Sequence, residues 1–219
     1  MRKVQIGLVL TCVGMVGAGS AWGGLITVEK VDIVNPGFEA DINANPVSYT
    51  PGITGWDTLG DFNNPPRGTI NPGPTGFTLG VSVEGANVAY SNGGEIAQVL
   101  PSVLRPNGDY ILRVNVGRRD GSSGFAGYAV RLLAGDTVLA EESSLTPVVG
   151  QMLTSVVMYD PDASDPLLGE PLKIVLWSAG SQASFDNVRL HALGAPLPET
   201  VVLCFMALGA LTMAKPKRR

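Results

Sequence analysis

The chain predicts an all-β body, an antiparallel β-sandwich, and three observations carry that prediction. Residues 109–118 alternate with the two-residue period of a strand: Tyr110, Leu112, Val114 and Val116 share one face, and Asp109, Arg113 and Asn115 share the other. The 28 Gly and 16 Pro among 219 residues cut the body into short segments, of strand rather than helix length. No window carries a sustained helical apolar period with caps at its ends.

The elements follow in order. Arg2 and Lys3 precede an uncharged apolar stretch, 4–16, and residues 17–24 are mostly small. That order is a signal peptide's, with cleavage expected near 21–24 and residues 1–23 removed. Strands are expected at 26–34, 78–84, 87–90 and 95–100, then at 109–118. Residues 128–134 and 137–143 flank Gly135-Asp136 and read as a hairpin. Strands at 152–159, 171–177 and 183–191 complete some ten in a single domain, 24–191. Residues 41–76 are loaded with Asn, Pro and Gly and are expected to be mostly loop, pinned to the core by Trp56. A second long loop, 160–171, carries Asp160, Asp162, Asp165 and Glu170.

Residues 192–219 form a linker and a tail. Pro196-Leu197-Pro198-Glu199-Thr200 leads into the apolar run 201–214, and Lys215-Pro216-Lys217-Arg218-Arg219 closes the chain. A processing site, a hydrophobic stop and a cationic end are the parts of a sorting tail. Fourteen apolar residues fall short of the roughly 20 of an untilted spanning helix, which suits a temporary anchor.

Charge and cysteine narrow the function. Between the two ends lie nine Lys and Arg against 18 Asp and Glu, about −9, which argues against nucleic acid or anionic lipid as the body's partner. The two cysteines, Cys12 and Cys204, lie in the apolar ends, so the body has no disulfide, thiolate metal site or cysteine nucleophile. His191 is the chain's single histidine. At a strand end it suits neither a buried triad base nor, without cysteines, a zinc site. Paired loop carboxylates leave a glycosidase-type site open, although acids in turns are ordinarily solvated. Asp186 stands out: alternation sets it on the face of Val188 and Leu190, which points inward. A carboxylate there needs a partner, whether arginine, backbone donors or a hard cation held through oxygen.

Several segments resemble bacterial exported proteins of the PEP-CTERM type, whose bodies are similar to galactose-binding-like jelly rolls and carbohydrate-binding modules. They are Val34-Asn35-Pro36-Gly37-Phe38-Glu39, Ile53-Thr54-Gly55-Trp56, Asn87-Val88-Ala89-Tyr90-Ser91-Asn92-Gly93-Gly94, Val116-Gly117-Arg118-Arg119 and Ser184-Phe185-Asp186-Asn187-Val188. The resemblance implies a structural calcium ion held by Glu39 and Asp186, with backbone carbonyls and Asp41 completing the shell. It also implies that an exosortase-type enzyme processes the tail at Pro198-Glu199-Thr200. There Thr200 stands where that family has a second proline, and Val201 stands where a sortase signal would need glycine.

A sugar site would use aromatic platforms and polar fingers. Trp177, Arg118 and Arg119 are the candidates, with Trp56 and Tyr90 assigned to the core. The resulting expectation is a secreted, non-catalytic jelly roll at the cell surface or in the matrix, attached to exopolysaccharide and touching membrane only through its terminal segments. A glycan hydrolase or lyase using loop acids, and a wall-anchored structural protein, are the competing readings.

Overall fold

The computed structural model describes residues 27–41, 43, 46, 48–59, 66–106 and 108–194. The expected signal peptide, 1–23, and the expected sorting tail lie outside the described residues. The described chain is all-β, with thirteen strands in two sheets.

The larger sheet contains β1 (Thr27–Val31), β2 (Tyr49–Pro51), β4 (Arg67–Ile70), β5 (Leu79–Gly80), β6 (Val88–Ser91), β8 (Gly108–Arg118), β11 (Gln151–Tyr159) and β13 (Ala183–Gly194). Its order is β2-β4-β6-β13-β8-β11-β5, with β1 also paired to β13. The smaller sheet runs β10 (Thr137–Glu142), β9 (Tyr128–Ala134), β12 (Pro171–Ser178), β7 (Gly94–Val103) and β3 (Asp57–Leu59). Pairing is antiparallel except between β5 and β11.

The two sheets share one core. Leu112, Val114, Val116, Phe185, Val188 and Leu190 of the larger sheet meet Ile96, Val130, Leu132, Leu172, Ile174 and Leu176 of the smaller, all at most 1% exposed. The alternation read in 109–118 is therefore the strand's real partition. The hairpin at Gly135-Asp136 also forms, with Thr137 opposite Ala134.

Three expectations change. The loop 41–76 contains three short strands, β2, β3 and β4, too brief and too rich in Gly and Pro for an alternation signal. The strand expected at 78–84 shrinks to Leu79–Gly80, and residues 81–87 continue as a flap over the larger sheet's outer face. The third change concerns the last strand. Its register shifts between Asp186 and Arg189, and Asn187 takes a left-handed conformation with φ 51°. That one-residue bulge reverses the facing of everything before it relative to everything after it. Phe185 and Val188 both face the core, so Asp186 shares the outer face with Ser184 rather than the inner face with Val188 and Leu190.

Gln98 closes the fold near its amino end. Its Oε1 accepts from Val34 N (2.8 Å), and its Nε2 donates to Val34 O (2.9 Å) and Gly55 O (2.8 Å). Trp56 pins its loop as expected, buried at 6% with Nε1 donating to Asn35 O and its ring 5.5 Å from that of Phe38.

Candidate functional site

The outer face of the larger sheet carries a second buried cluster, separate from the core between the sheets. Ile70, Val88, Tyr90 and Met152 are its buried members, and Phe77, just before β5, and Val83 of the flap pack onto them. Strand register explains the grouping. Gly68 and Ile70 lie opposite Tyr90 and Val88, Tyr90 lies opposite Ser184, Ser184 opposite Gly117, and Gly117 opposite Met152. Directly paired residues face the same way. Tyr90, expected in the core, therefore belongs to this outer floor, where the Tyr49 ring meets it edge-on at 5.2 Å. Phe77 and Val83 also line a groove of about 450 Å³ together with Pro46, Asn71, Pro72, Ser82, Gly85 and Ala86.

Asp186 lies under the same flap, opposite Asn115, and is wholly buried. Its Oδ2 accepts from Glu84 N (2.7 Å) and its Oδ1 from Asn187 N (2.7 Å). Burial pushes the carboxyl up to about 7 despite these two bonds, and the charges of Glu84 and Glu39 add to the rise.

Glu39 reaches the flap from the other side. Its Oε1 accepts from Ala86 N (3.0 Å) and Asn87 N (2.7 Å). The flap can approach it only through Gly85, where φ is 71° and a Cβ would lie 2.5 Å from Glu39 Cδ. Asn87 Nδ2 donates to Asp41 O (2.9 Å), whereas Asn87 Oδ1 is buried and has no partner among the described residues.

The structure thus brings Glu39 and Asp186 into one neighbourhood, joined by Glu84, which sequence reasoning missed. The surroundings fit a hard cation: they offer carboxylates and an orphaned amide oxygen. Among the described residues no three His, Cys, Asp or Glu side chains form a cage by themselves, so amide or backbone oxygens would have to complete a shell. Asp41 accepts from Thr54 N (3.0 Å) and Thr54 Oγ1 (2.6 Å) through its two carboxylate oxygens.

The three residues expected to contact sugar do not form one surface. Trp177 lies on the outer side of the smaller sheet, half-buried, with the Arg131 guanidinium 5.6 Å from its ring. Arg118 ends β8 in the larger sheet. Arg119 is nearly buried and donates to Gln182 Oε1 (3.2 Å), Asp120 O (2.9 Å) and the Tyr49 hydroxyl (2.9 Å). The loop acids are taken up locally: Asp162 accepts from Ser164 N and Oγ, and Asp165 from the Tyr159 hydroxyl and Leu167 N. His191 is on the outer face, where partial burial and then Arg113, Arg189 and Lys30 push its pKa down.

Ser184 and Phe77 were also missed. A serine inside an apolar strand next to Asp186 was the available signal for the first. Phe77 sits in a Gly- and Pro-rich loop that carries no period, and only the packing of that loop onto the outer face reveals its place.

A family described as HpiC1-like, HpiC1 cyclase, matches residues 29–191. Among solved structures, a Stig cyclase, Fisc from Fischerella sp. TAU in complex with (3Z)-3-(1-methyl-2-pyrrolidinylidene)-3H-indole, is similar at 31% identity and TM-score 0.70, covering 77% of this chain and 99% of that one. A cyclase from Fischerella sp. TAU in complex with 4-(1H-indol-3-yl)butan-2-one is similar at 33% identity and TM-score 0.68, covering 76% and 98%. An apo cyclase from Fischerella sp. shows 29% identity and TM-score 0.68, covering 77% and 98%. Comparison with curated proteins finds no match.

These findings overturn the expectation of a non-catalytic, carbohydrate-binding or matrix-structural protein attached to exopolysaccharide. The expectation failed because its motifs, Asn35 to Glu39 and Phe185 to Val188, build the strand ends and the acidic neighbourhood. Such motifs report a scaffold, and scaffold alone does not fix chemistry.

Proposed function

The chain belongs to the HpiC1-like cyclase family, and on that premise we propose that it is a cyclase that closes a ring in an indole-bearing, largely apolar substrate held on the outer face of the larger sheet. The observation that carries this reading is the groove of about 450 Å³ whose wall, Phe77 and Val83, is also the cover of the Ile70, Val88, Tyr90 and Met152 floor. Binding sites of this kind are concave and apolar with a few placed polar groups. The ligands named for two similar cyclases are both indole compounds.

The chemistry asked of these residues is modest and physical. An apolar floor folds a flexible substrate and excludes water, so that the ends to be joined are held together. The π faces of Tyr90 and Tyr49 favour positive charge that develops during ring closure. Ring closure by isomerisation exchanges one π bond for one σ bond and leaves the mass unchanged.

Calcium is part of the same proposal. Glu39 and Asp186 would hold the ion, with Glu84 close by and the Asn87 amide oxygen as a neutral ligand. When bound, the ion supplies a fixed positive charge that ties the flap to β13 and so shapes the site. The same reading takes the two sheets as a galactose-binding-like jelly roll. We further propose export through the signal peptide and processing of the tail at Pro198, Glu199 and Thr200 by an exosortase-type enzyme. The mass of the mature protein recovered from cells tests both cuts.

The test of the activity is incubation of the mature protein, with calcium, with indoles bearing flexible unsaturated side chains. A product of unchanged mass with one alkene fewer by NMR is expected. No turnover of any such substrate, together with no binding of 4-(1H-indol-3-yl)butan-2-one, would overturn the reading.

A further inference from the structure

We propose that the Phe77 ring is a plug resting in the slot that a substrate's aromatic ring takes, and that Ser184 is the specificity residue that reads a ring N–H once the plug has turned aside. This deepens the cyclase reading and rests on it.

Two independent observations carry the inference. The first is the bare strand beneath Phe77. Gly117 lies on the outer face, and a Cβ there would stand 2.5 Å from Phe77 Cε1 and 3.2 Å from Met152 Cε. The sheet is therefore cut away where a flat ring sits. Phe77 is only partly buried and, with Val83, is also a wall of the groove, so these two side chains divide groove from floor. The backbone beside it is tied down: Thr78 N and Leu79 N donate to Gly150 O (2.9 and 3.0 Å), and Val81 N to Met152 O (2.9 Å). Rotation of the side chain opens the slot without moving the flap.

The second observation is Ser184. It lies between Tyr90 and Gly117 in the register, 0% exposed, and its Oγ has no hydrogen-bond partner among the described residues. A buried hydroxyl without a partner is rare and asks for an explanation. Its neighbours on this face, Tyr90 and Met152, meet a ligand with a ring face and a thioether. The ligand class is a planar aromatic with a ring N–H. Phe77 fills its outline but brings no donor, so the hydroxyl stays unsatisfied until the ligand arrives.

The experiment is calorimetric titration of the calcium-loaded protein with 4-(1H-indol-3-yl)butan-2-one and with its N-methylindole counterpart. The wild type is expected to prefer the N–H compound by about tenfold, the worth of one buried hydrogen bond. Ser184→Ala levels the two by weakening only the N–H compound, and Ser184→Cys, close in volume, checks that levelling does not come from lost packing. Phe77→Ala tightens both compounds several-fold. Equal affinities in the wild type, or a preference that survives in both Ser184 variants, overturns the role of Ser184 and leaves the cyclase reading standing. No tightening in Phe77→Ala overturns the plug. Failure of every variant to bind either compound removes the cyclase reading, and this inference with it.

Discussion

Freed of divalent cations, the protein should lose stability as pH rises from about 4 to about 8, and Asp186 should account for the loss. Its carboxyl is pushed up to about 7 in the folded chain, against 3.8 for an ordinary aspartate. The sign follows from which state holds the proton more tightly. Below the ordinary value both states are protonated and nothing is lost. Between the two values the unfolded chain ionises while the folded chain keeps its proton, so folding weakens. Above the folded value the loss is complete, up to about 4 kcal/mol, or about 10 °C in Tm for a domain of this size. Asp186→Asn removes the ionisation but turns one oxygen into an NH2 facing Glu84 N or Asn187 N, which costs about 1–2 kcal/mol. The variant should thus be less stable than wild type at about pH 4 and more stable at about pH 8, both without cations. Calcium should raise the Tm of the wild type at neutral pH and leave that of the variant nearly unchanged. Thermal unfolding followed by circular dichroism reads all of this. A gap between wild type and variant that stays constant across the pH range would refute the reasoning.

Other outcomes follow from the same geometry. Gly85→Ala places a Cβ 2.5 Å from Glu39 Cδ at a positive φ; about 2 kcal/mol should be lost in denaturant unfolding, with a weaker calcium response. Gln98→Leu leaves Val34 N and the carbonyls of Val34 and Gly55 without their partner, at about 3 kcal/mol, and the Tm should fall by about 9 °C. Tyr128→Phe removes a hydroxyl that donates to Glu142 and accepts from Leu145 N. Chemical denaturation should register about 1–2 kcal/mol, while binding of the indole ketone stays as it was, because this network lies away from the groove.

The sandwich itself was legible wherever strands were long enough to alternate. The strands expected at 109–118, 128–134, 152–159, 171–177 and 183–191 form within a few residues of their expected bounds, because a buried face imposes a period of two on any strand that packs one side. The short strands β2, β3 and β4 span three or four residues each and leave no period to read. Asp186 was singled out correctly as a buried acid, yet its facing was inverted. The bulge at Asn187 is a backbone event, and its one trace in the sequence is an asparagine, a residue that tolerates a left-handed φ but is also common in turns and caps. The pairing of Glu39 with Asp186 came through resemblance, since no spacing rule links residues so far apart. The chemistry was illegible for a different reason. Its floor is assembled one residue at a time from Ile70, Tyr90, Met152 and Ser184, which lie on separate strands, so no single segment shows the surface they form together.

The position of β13 also governs the order of assembly. This strand pairs with β6, β8 and β1, so the middle of the larger sheet is the last β-strand of the described chain to be synthesised. Residues 27–31 wait for residues 190–194 before either can close its ladder. A topology so dominated by distant partners folds slowly and not from one end. The nascent polypeptide therefore keeps its larger sheet open until residues 183–194 have left the ribosome, and β6 and β8 stay unpaired until then along the edges that β13 takes.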